Sequence, residues 1–577
     1  MDARLKRLTQ VLLVLFGLLA LRLVQFQLVQ GRRYAELSDH NRIRKIALTA
    51  PRGRIFDRNG RTIADTRPSF TVSVIPTEMT DSTLPLLAKL LEVPLEDLES
   101  KVEPVAFLAS PVKVRRNLSQ EALFRVEENR FRLAGVRTSV DPVRSYPSDD
   151  RYCHVLGHLG EVNQEDLVRD SGYRMLDYIG RAGVEAKYEE LLRGRDGYEY
   201  VEIDARGHEI GPLPEKRPVS AVAGRDIYLT IDDRLQQLAY LLTAEYQRAA
   251  VVGIKIASGE VICLHSRPGF DPNLFTGTIS AEAWQELSEN PSKPFYNRTI
   301  SAVYPPGSVL KPVVALAALK DRVVRTGTRL QFCNGQYRYG NRTFKCWTEH
   351  GSLDLTGAIA HSCNVYFYQL GLRLGLDSLV SYCRAMPLGR SVGIDLPGEN
   401  PGIIPSRDWL NQRYGRGRWH MGVLLNFAIG QGEILASPLQ MAVTYAAIAN
   451  NGVFRRPHVL ARVDSAGRTV QWTAAEIEKV DFRSHDLTQV KRALEHVIEY
   501  GTARTARLRE IRIAGKTGTA ENIGVDHAWF VGYAPADRPE VVFAVLVENA
   551  GHGGVVAAPI ARQLIRTWFS IPEAGRP

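Results

Sequence analysis

Nowhere in this chain do five lysines or arginines stand in a row, and no nucleic-acid-binding motif is present. The formal charge of +10 is therefore dispersed, and it argues against nucleic acid as a partner. A basic surface beside anionic lipid or wall polymer accounts for the charge equally well. No second apolar run of membrane-spanning length follows the first one, which leaves a single span near the N-terminus. No small-residue cleavage site follows that run either, which excludes a removed signal peptide and favours an anchor that stays.

What is there fits a folded, anchored protein. At 577 residues the chain is too long for one ordinary domain, and about two or three units are expected. With 45% hydrophobic and 24% charged residues it is not disordered. From Leu8 to Gln30 the only charge is Arg22, enough for a transmembrane helix. Arg4, Lys6 and Arg7 precede it, so the N-terminus is expected in the cytoplasm and the chain after about residue 31 outside it, although Arg22, Arg32 and Arg33 oppose that bias. Gln25 and Gln27 near the exit point to a helix face that meets another membrane protein.

Residues 31–218 read as a strand-rich support. Asn59-Gly60 between Ile55-Phe56 and Thr62-Ile63 predicts a hairpin, Phe70 to Ile75 a strand, and Leu84 to Lys101 a helix in two pieces split at Pro94. Glu185, Glu189 and Glu190 read as the solvated face of a short helix rather than a general acid and base. Residues 219–572 read as a second domain. Ile227 to Ile231 predicts a strand, Asp233 to Arg248 a helix, and Ala250 to Ile256 with Val261 to Leu264 a pair of strands. At the far end Ala528 to Tyr533 and Val541 to Glu548 are strands, and Ala557 to Phe569 is a helix. Strands from both ends around a helical insert imply one antiparallel sheet flanked by helices. The overall class is α+β: an anchor over 1–30, an extended support, a large C-terminal domain, and a short tail at 573–577.

Three short boxes carry chemistry. Tyr304-Pro305-Pro306-Gly307 breaks the chain before Ser308, and Val309 to Leu319 is almost wholly apolar, so a buried helix starts near Ser308 and tolerates Pro312 in its first turn. Lys311 then falls one turn on, on the face of Ser308, where a buried amine can take a proton from the hydroxyl. Ser362-Cys363-Asn364 sits between two apolar helical stretches, offering a proton relay and an amide-binding carboxamide. Gly515-Lys516-Thr517-Gly518-Thr519 ends like a nucleotide P-loop, but the earlier glycine that loop requires would fall at Glu510. A strand fits better, with glycines admitting a substrate backbone, and Lys516, Thr517 and Thr519 binding a carboxylate.

In the order Ser-x-x-Lys, Ser-x-Asn, Lys-Thr-Gly, these boxes resemble the penicillin-binding serine D,D-transpeptidases. Arg52-Gly53-Arg54-Ile55-Phe56-Asp57-Arg58-Asn59-Gly60 and Arg144-Ser145-Tyr146-Pro147 are similar to the pedestal of class B members. Asp271-Pro272-Asn273, Gly393-Ile394-Asp395-Leu396-Pro397-Gly398-Glu399 and Ile429-Gly430-Gln431-Gly432 resemble the elongation-type members more than the division-type ones. Nothing in residues 31–218 resembles the glycosyltransferase box of class A.

The resemblance implies a penicillin-binding transpeptidase domain with a helical subdomain, needing no cofactor for catalysis. Ser308 would acylate on the D-Ala-D-Ala terminus of a peptidoglycan stem peptide. Lys311 would be the base, Ser362 the relay to the leaving amine and Asn364 a substrate ligand. The N–H groups of Ser308 and Thr519 would form the oxyanion hole, with Lys516, Thr517, Gly518 and Thr519 around the terminal carboxylate. β-Lactams would inhibit by acylating Ser308. Membrane lipid, a SEDS-family glycan polymerase of the RodA type and other elongation-complex proteins are the implied partners. A division-type enzyme, a D,D-carboxypeptidase and a non-catalytic penicillin-binding sensor or scaffold are the alternatives; a sensor would be expected to carry further spans or an output domain.

Of six cysteines, Cys333, Cys346 and Cys363 fall with His350 between the first box and the end of the second. Ligand type and number match a structural zinc site, while a disulfide such as Cys333 with Cys346, or reduced thiols, fit as well. Cys153, Cys263 and Cys383 read as buried core residues, and His527 and Trp529 as lining the cleft or the core.

Overall fold

The structure, a computed structural model, describes residues 3–33, 43–108, 111–169, 172–175, 177–204, 209–214, 216–277, 279–465, 468–471 and 476–572. The expected tail at 573–577 lies outside the described residues. The chain opens with helix α1 (Ala3–Val24), which continues through a π-helical turn over Gln25–Val29. Leu5–Val29 is long and apolar enough to cross a membrane, and its apolar side chains are exposed. Arg22 donates to Gln25 Oε1 at 2.6 Å, so the charge and one of the two exit glutamines satisfy each other within the helix.

The chain divides into two compact units. The smaller comprises Met1–Arg52, Thr66–Val143 and Arg193–Gly224. It holds a three-stranded antiparallel sheet (Ile43–Leu48, Gly197–Ile203, Glu209–Pro212) and a pairing of Phe70–Val74 with Val112–Leu118. Pro94 splits the predicted helix as expected, into Thr83–Leu91 and Leu95–Val102.

The larger unit comprises Gly53–Asp65, Arg144–Leu192 and Arg225–Pro577. The two units thus interleave along the chain. Residues 144–192 belong here because buried polar bonds tie them in. Arg144 donates to Glu185 Oε1 at 2.6 Å and to the Gly53 carbonyl at 2.7 Å, with both charged side chains 0% exposed. Asn273 exchanges two bonds of 2.9 Å with the Tyr146 backbone. The reading of Glu185 and Glu189 as a solvated face is corrected by this. Glu189 takes the Tyr173 hydroxyl and the Gly180 amide, so both acids are buried braces, and only Glu190 faces solvent.

The core of this unit is a five-stranded antiparallel sheet of β1 (Ala249–Lys255), β2 (Val261–Arg267), β3 (Ala514–Ala520), β4 (His527–Ala534) and β5 (Val541–Val547), in the order β2-β1-β5-β4-β3. The first two and last three strands meet as the hydrophobic pattern implied, and near-continuous burial along them means that both faces are covered. Asp226–Leu229 lies outside this sheet, pairing with Ile55–Phe56 and Leu460–Ser465. The helix from Asp233 ends at Leu242 rather than Arg248, where the Thr243 hydroxyl takes the Ala239 carbonyl. Between β2 and β3 lie α2 (Lys311–Lys320), α3 (Leu355–Ala360), α4 (Asn364–Ala385, broken at Gly375), α5 (Pro438–Ala449) and α6 (Ser484–Glu499), and α7 (Ala557–Trp568) packs on β4 and β5.

Candidate active site

Gly307–Leu310 forms a 3₁₀ turn that runs directly into α2, so Lys311 opens the helix and Pro312 follows where its missing N–H costs nothing. Val313 to Leu319 is buried all round, which makes α2 a core helix. The turn is pinned from three sides. The Tyr445 hydroxyl on α5 donates to Val309 O at 2.9 Å, Gly307 N donates to Gly430 O at 2.8 Å, and Trp529 Nε1 donates to Pro305 O at 3.2 Å. Trp529 is therefore core beneath the site, while His527 is half-buried and accepts from Asn549 N through Nδ1.

The second box arrives from the other side. Ser362 sits in the left-handed region at φ 56° between α3 and α4, a conformation a serine holds only under local constraint. Its hydroxyl donates to Ser308 Oγ at 2.9 Å. The Lys311 ammonium donates to Ser362 O at 2.8 Å, to Ser362 Oγ at 3.2 Å and to Asn364 Oδ1 at 2.7 Å. The expected direct pairing of Lys311 with Ser308 is thus replaced by a relay. Lys311 bonds Ser362, and Ser362 bonds Ser308.

The third box is the edge strand β3, where Lys516, Thr517 and Gly518 pair with Val531, Phe530 and Trp529. A Cβ at Gly518 would stand 3.0 Å from Pro306 O and 3.1 Å from Val309 Cγ1, so this glycine lets the strand close on the Gly307–Leu310 turn that carries Ser308. Lys516 lies behind it, 0% exposed, donating to Thr517 O at 3.1 Å. The Thr517 and Thr502 hydroxyls are 2.6 Å apart.

Two buried amines in one site set its electrostatics. Burial pushes Lys311 down to about 8. Burial, and then the charge of Lys311, hold Lys516 well below its ordinary value. A carboxylate arriving beside Lys516 would reverse that cost.

The Cys/His cluster also assembles. The ligand atoms of Cys333, Cys346, His350 and Cys363 all lie within 4.8 Å of one another. His350 Nδ1 is 3.6 Å from Cys333 Sγ and 3.4 Å from Cys346 Sγ. A tetrahedron with zinc bonds of ~2.3 Å to sulfur and ~2.0 Å to nitrogen has edges of about 3.5 Å, so the donor set fits zinc. Cys346 Sγ also accepts the Asn364 amide at 3.2 Å, joining the cluster to the second box. The neighbouring Cys363 thiol holds Cys346 well below its ordinary value, and the neighbouring Cys346 thiol holds Cys363 well above it. All six cysteines are free; Cys153, Cys263 and Cys383 are buried.

Residues 249–566 match the penicillin binding protein transpeptidase domain, and residues 47–229 the penicillin-binding protein dimerisation domain. The peptidoglycan D,D-transpeptidase MrdA of Acinetobacter baumannii is 35% identical over 96% of this chain and 85% of its own length. The chain is a class B penicillin-binding protein. In fold this penicillin-binding protein is similar to PBP2 of Helicobacter pylori in complex with MreC, with a TM-score of 0.80 and 27% identity over 92% of this chain and 99% of that one. It is also similar, with a TM-score of 0.72 and 28% identity over the full length of both chains, to a component of a peptidoglycan synthase complex that coordinates polymerization and crosslinking.

Sequence reasoning missed part of the site of this penicillin-binding protein. Gln431 spans Thr519 O at 2.9 Å and Glu521 N at 3.3 Å, holding the end of β3. Its stretch was visible as a family signature, without a role. Thr502, in the bland Gly501-Thr502-Ala503, carried no signal at all. Glu548 accepts from the Tyr304 hydroxyl at 2.8 Å and Arg298 Nε at 2.9 Å, anchoring the approach to Ser308 from the end of β5; only the strand was legible there.

Proposed function

We propose that this penicillin-binding protein is an elongation-type peptidoglycan D,D-transpeptidase, with Ser308 as its nucleophile. The observation that carries the reading is the relay of Lys311 to Ser362 to Ser308 beside the Lys516-Thr517 strand. Ser308 Oγ attacks the carbonyl between the last two D-alanines of a stem peptide while its proton passes through Ser362 to neutral Lys311. The N–H groups of Ser308 and Thr519 receive the oxyanion, and Lys516, Thr517 and Thr519 hold the terminal carboxylate. The C–N bond breaks, the proton returns through Ser362 to the leaving amine, and D-alanine departs from an ester on Ser308. Asn364 orients the acyl chain. An amine of a neighbouring stem then attacks the ester, forming the cross-link and returning the proton to Ser308. A β-lactam enters by the same first step and stays.

In this reading the catalytic unit lies outside the cytoplasm, with the apolar Leu5–Val29 helix as its anchor, and the similarity to a polymerizing and crosslinking complex supports a SEDS-family glycan polymerase of the RodA type and an MreC-like protein as partners. Cys333, Cys346, His350 and Cys363 would hold a structural zinc that fixes the loop bearing Ser362 and Asn364. Metal analysis of the purified chain tests that, together with penicillin labelling of Cys346→Ser; no metal and full labelling would dispose of it. The activity is tested with lipid-linked glycan carrying pentapeptide stems. Cross-linked dimers that vanish in Ser308→Ala are the expected result, and tetrapeptide products alone would make the enzyme a carboxypeptidase.

A further inference from the structure

The Cys/His cluster holds three thiols beside one imidazole, and the thiols are unequal in exposure. Cys333 and Cys363 are 1% exposed, whereas Cys346 is half-buried and open to a reagent. The Cys346 and Cys363 sulfurs lie within 4.8 Å of each other. Cys333 turns its own sulfur to Thr348 O at 3.8 Å. Those of Cys346 and Cys363 are also the two sulfurs joined to the second box. Cys363 lies between Ser362 and Asn364, and Cys346 accepts the Asn364 amide. Lys345, next to Cys346, offers its carbonyl to the Tyr368 hydroxyl at 2.8 Å and to Asn364 Nδ2 at 3.4 Å.

We propose that Cys346 and Cys363 form an oxidation site, at which an external disulfide converts them to an intramolecular disulfide, expels the zinc and disarms Ser308. The Cys346 thiolate attacks one sulfur of the external disulfide, forming a mixed disulfide and releasing one thiolate. Cys363 then attacks the Cys346 sulfur, closing the Cys346–Cys363 bond and releasing the second thiolate. Two protein thiols are oxidised, and one external disulfide is reduced to two thiols. Zinc loses two of four donors and leaves. Bonding the two sulfurs draws Cys363 toward Cys346 and removes the acceptor of the Asn364 amide. Ser362, at its left-handed φ of 56°, and Asn364 are the groups that hold the Lys311 amine, so the relay to Ser308 is displaced with them. On the extracytoplasmic side, where disulfide exchange is available, zinc then acts as the guard that keeps the pair reduced.

The metal step rests on the zinc reading above, and the loss of acylation on the nucleophile reading. The zinc-loaded full-length chain in detergent is equilibrated in glutathione buffers of rising oxidised fraction, then divided among disulfide mapping by mass spectrometry, a chromogenic zinc chelator and fluorescent penicillin. The expected result is a Cys346–Cys363 peptide that appears in step with release of one zinc, a fall in labelling of at least tenfold, and recovery with dithiothreitol plus zinc. Chelator-stripped, reduced protein should label more strongly than the disulfide form, which separates bond formation from metal loss. A disulfide to Cys333, a stable glutathione adduct without closure, or closure with undiminished labelling overturns the proposal; reduced protein without zinc overturns the expulsion. In Ser308→Ala the disulfide and the zinc release should be unchanged, so failure of the transpeptidase reading is distinguishable. In Cys346→Ser any labelling that remains should ignore oxidised glutathione, and if that variant does not fold, the wild-type mapping decides alone.

Discussion

If Lys311 is the base, acylation of Ser308 must climb with pH through a value far below that of an ordinary lysine. The amine accepts a proton only when neutral, and burial sets its midpoint at about 8. About one molecule in eleven is then competent at pH 7 and about ten in eleven at pH 9, so the acylation rate constant should rise roughly tenfold between them and level off. The sign follows from the depressed value, since lowering pH through 8 charges the amine and removes the acceptor for the Ser308 proton. Stopped-flow acylation at saturating fluorescent penicillin is the suitable assay, because the bound carboxylate keeps Lys516 charged and only Lys311 titrates. At low penicillin concentration the free enzyme is sampled, and neutralisation of Lys516, held well below its ordinary value, should add a falling limb. A saturating rate that is flat from pH 6 to 10, or that falls through 8, refutes the assignment of Lys311 as base.

Gly430→Ala would place a Cβ 2.1 Å from Gly307 O at a φ of +75°, forcing the nucleophile turn aside, and should lower acylation at least a hundredfold while the thermal transition moves less than for a core cavity. Equal labelling of mutant and wild type would show that the turn tolerates the shift. Glu185→Ala leaves the Arg144 guanidinium buried without its carboxylate and should destabilise the larger unit by about 3–5 kcal/mol, read by calorimetry, with Glu185→Gln intermediate. An unchanged transition would mean that the pair contributes nothing net. Thr502→Val removes a hydroxyl 2.6 Å from that of Thr517 and should raise KM for the donor stem roughly tenfold with kcat little changed. A fall in kcat alone would place Thr502 outside carboxylate binding.

The parts of this molecule that were legible in the sequence are those whose chemistry is local. A serine one turn before a lysine, two prolines ahead of a buried helix and a glycine-flanked Lys-Thr on a short strand each fit within a few residues, where periodicity and turn chemistry operate. The sheet was legible for a similar reason, since strands such as Val541–Val547 are apolar throughout and must be buried on both faces. The roles that stayed hidden depend on partners distant in sequence. Glu185 reads as a surface acid until Arg144 is beside it, and the short helix Gly183–Lys187 is too brief for its period to reveal which face is inward. Thr502 becomes part of the site only because α6 packs on β3 and its trailing loop meets Thr517. The relay shows the same limit inside the active site. Helical spacing correctly puts Lys311 on the face of Ser308, yet its nearest acceptors come from a loop that another helix pair delivers. Ser362 therefore stands between the two residues that spacing alone would have joined, and in the proposed mechanism activation of Ser308 depends on how firmly the Cys346–Asn364 contact holds that loop. A Cys/His cluster that takes no part in acyl transfer can for that reason control its rate.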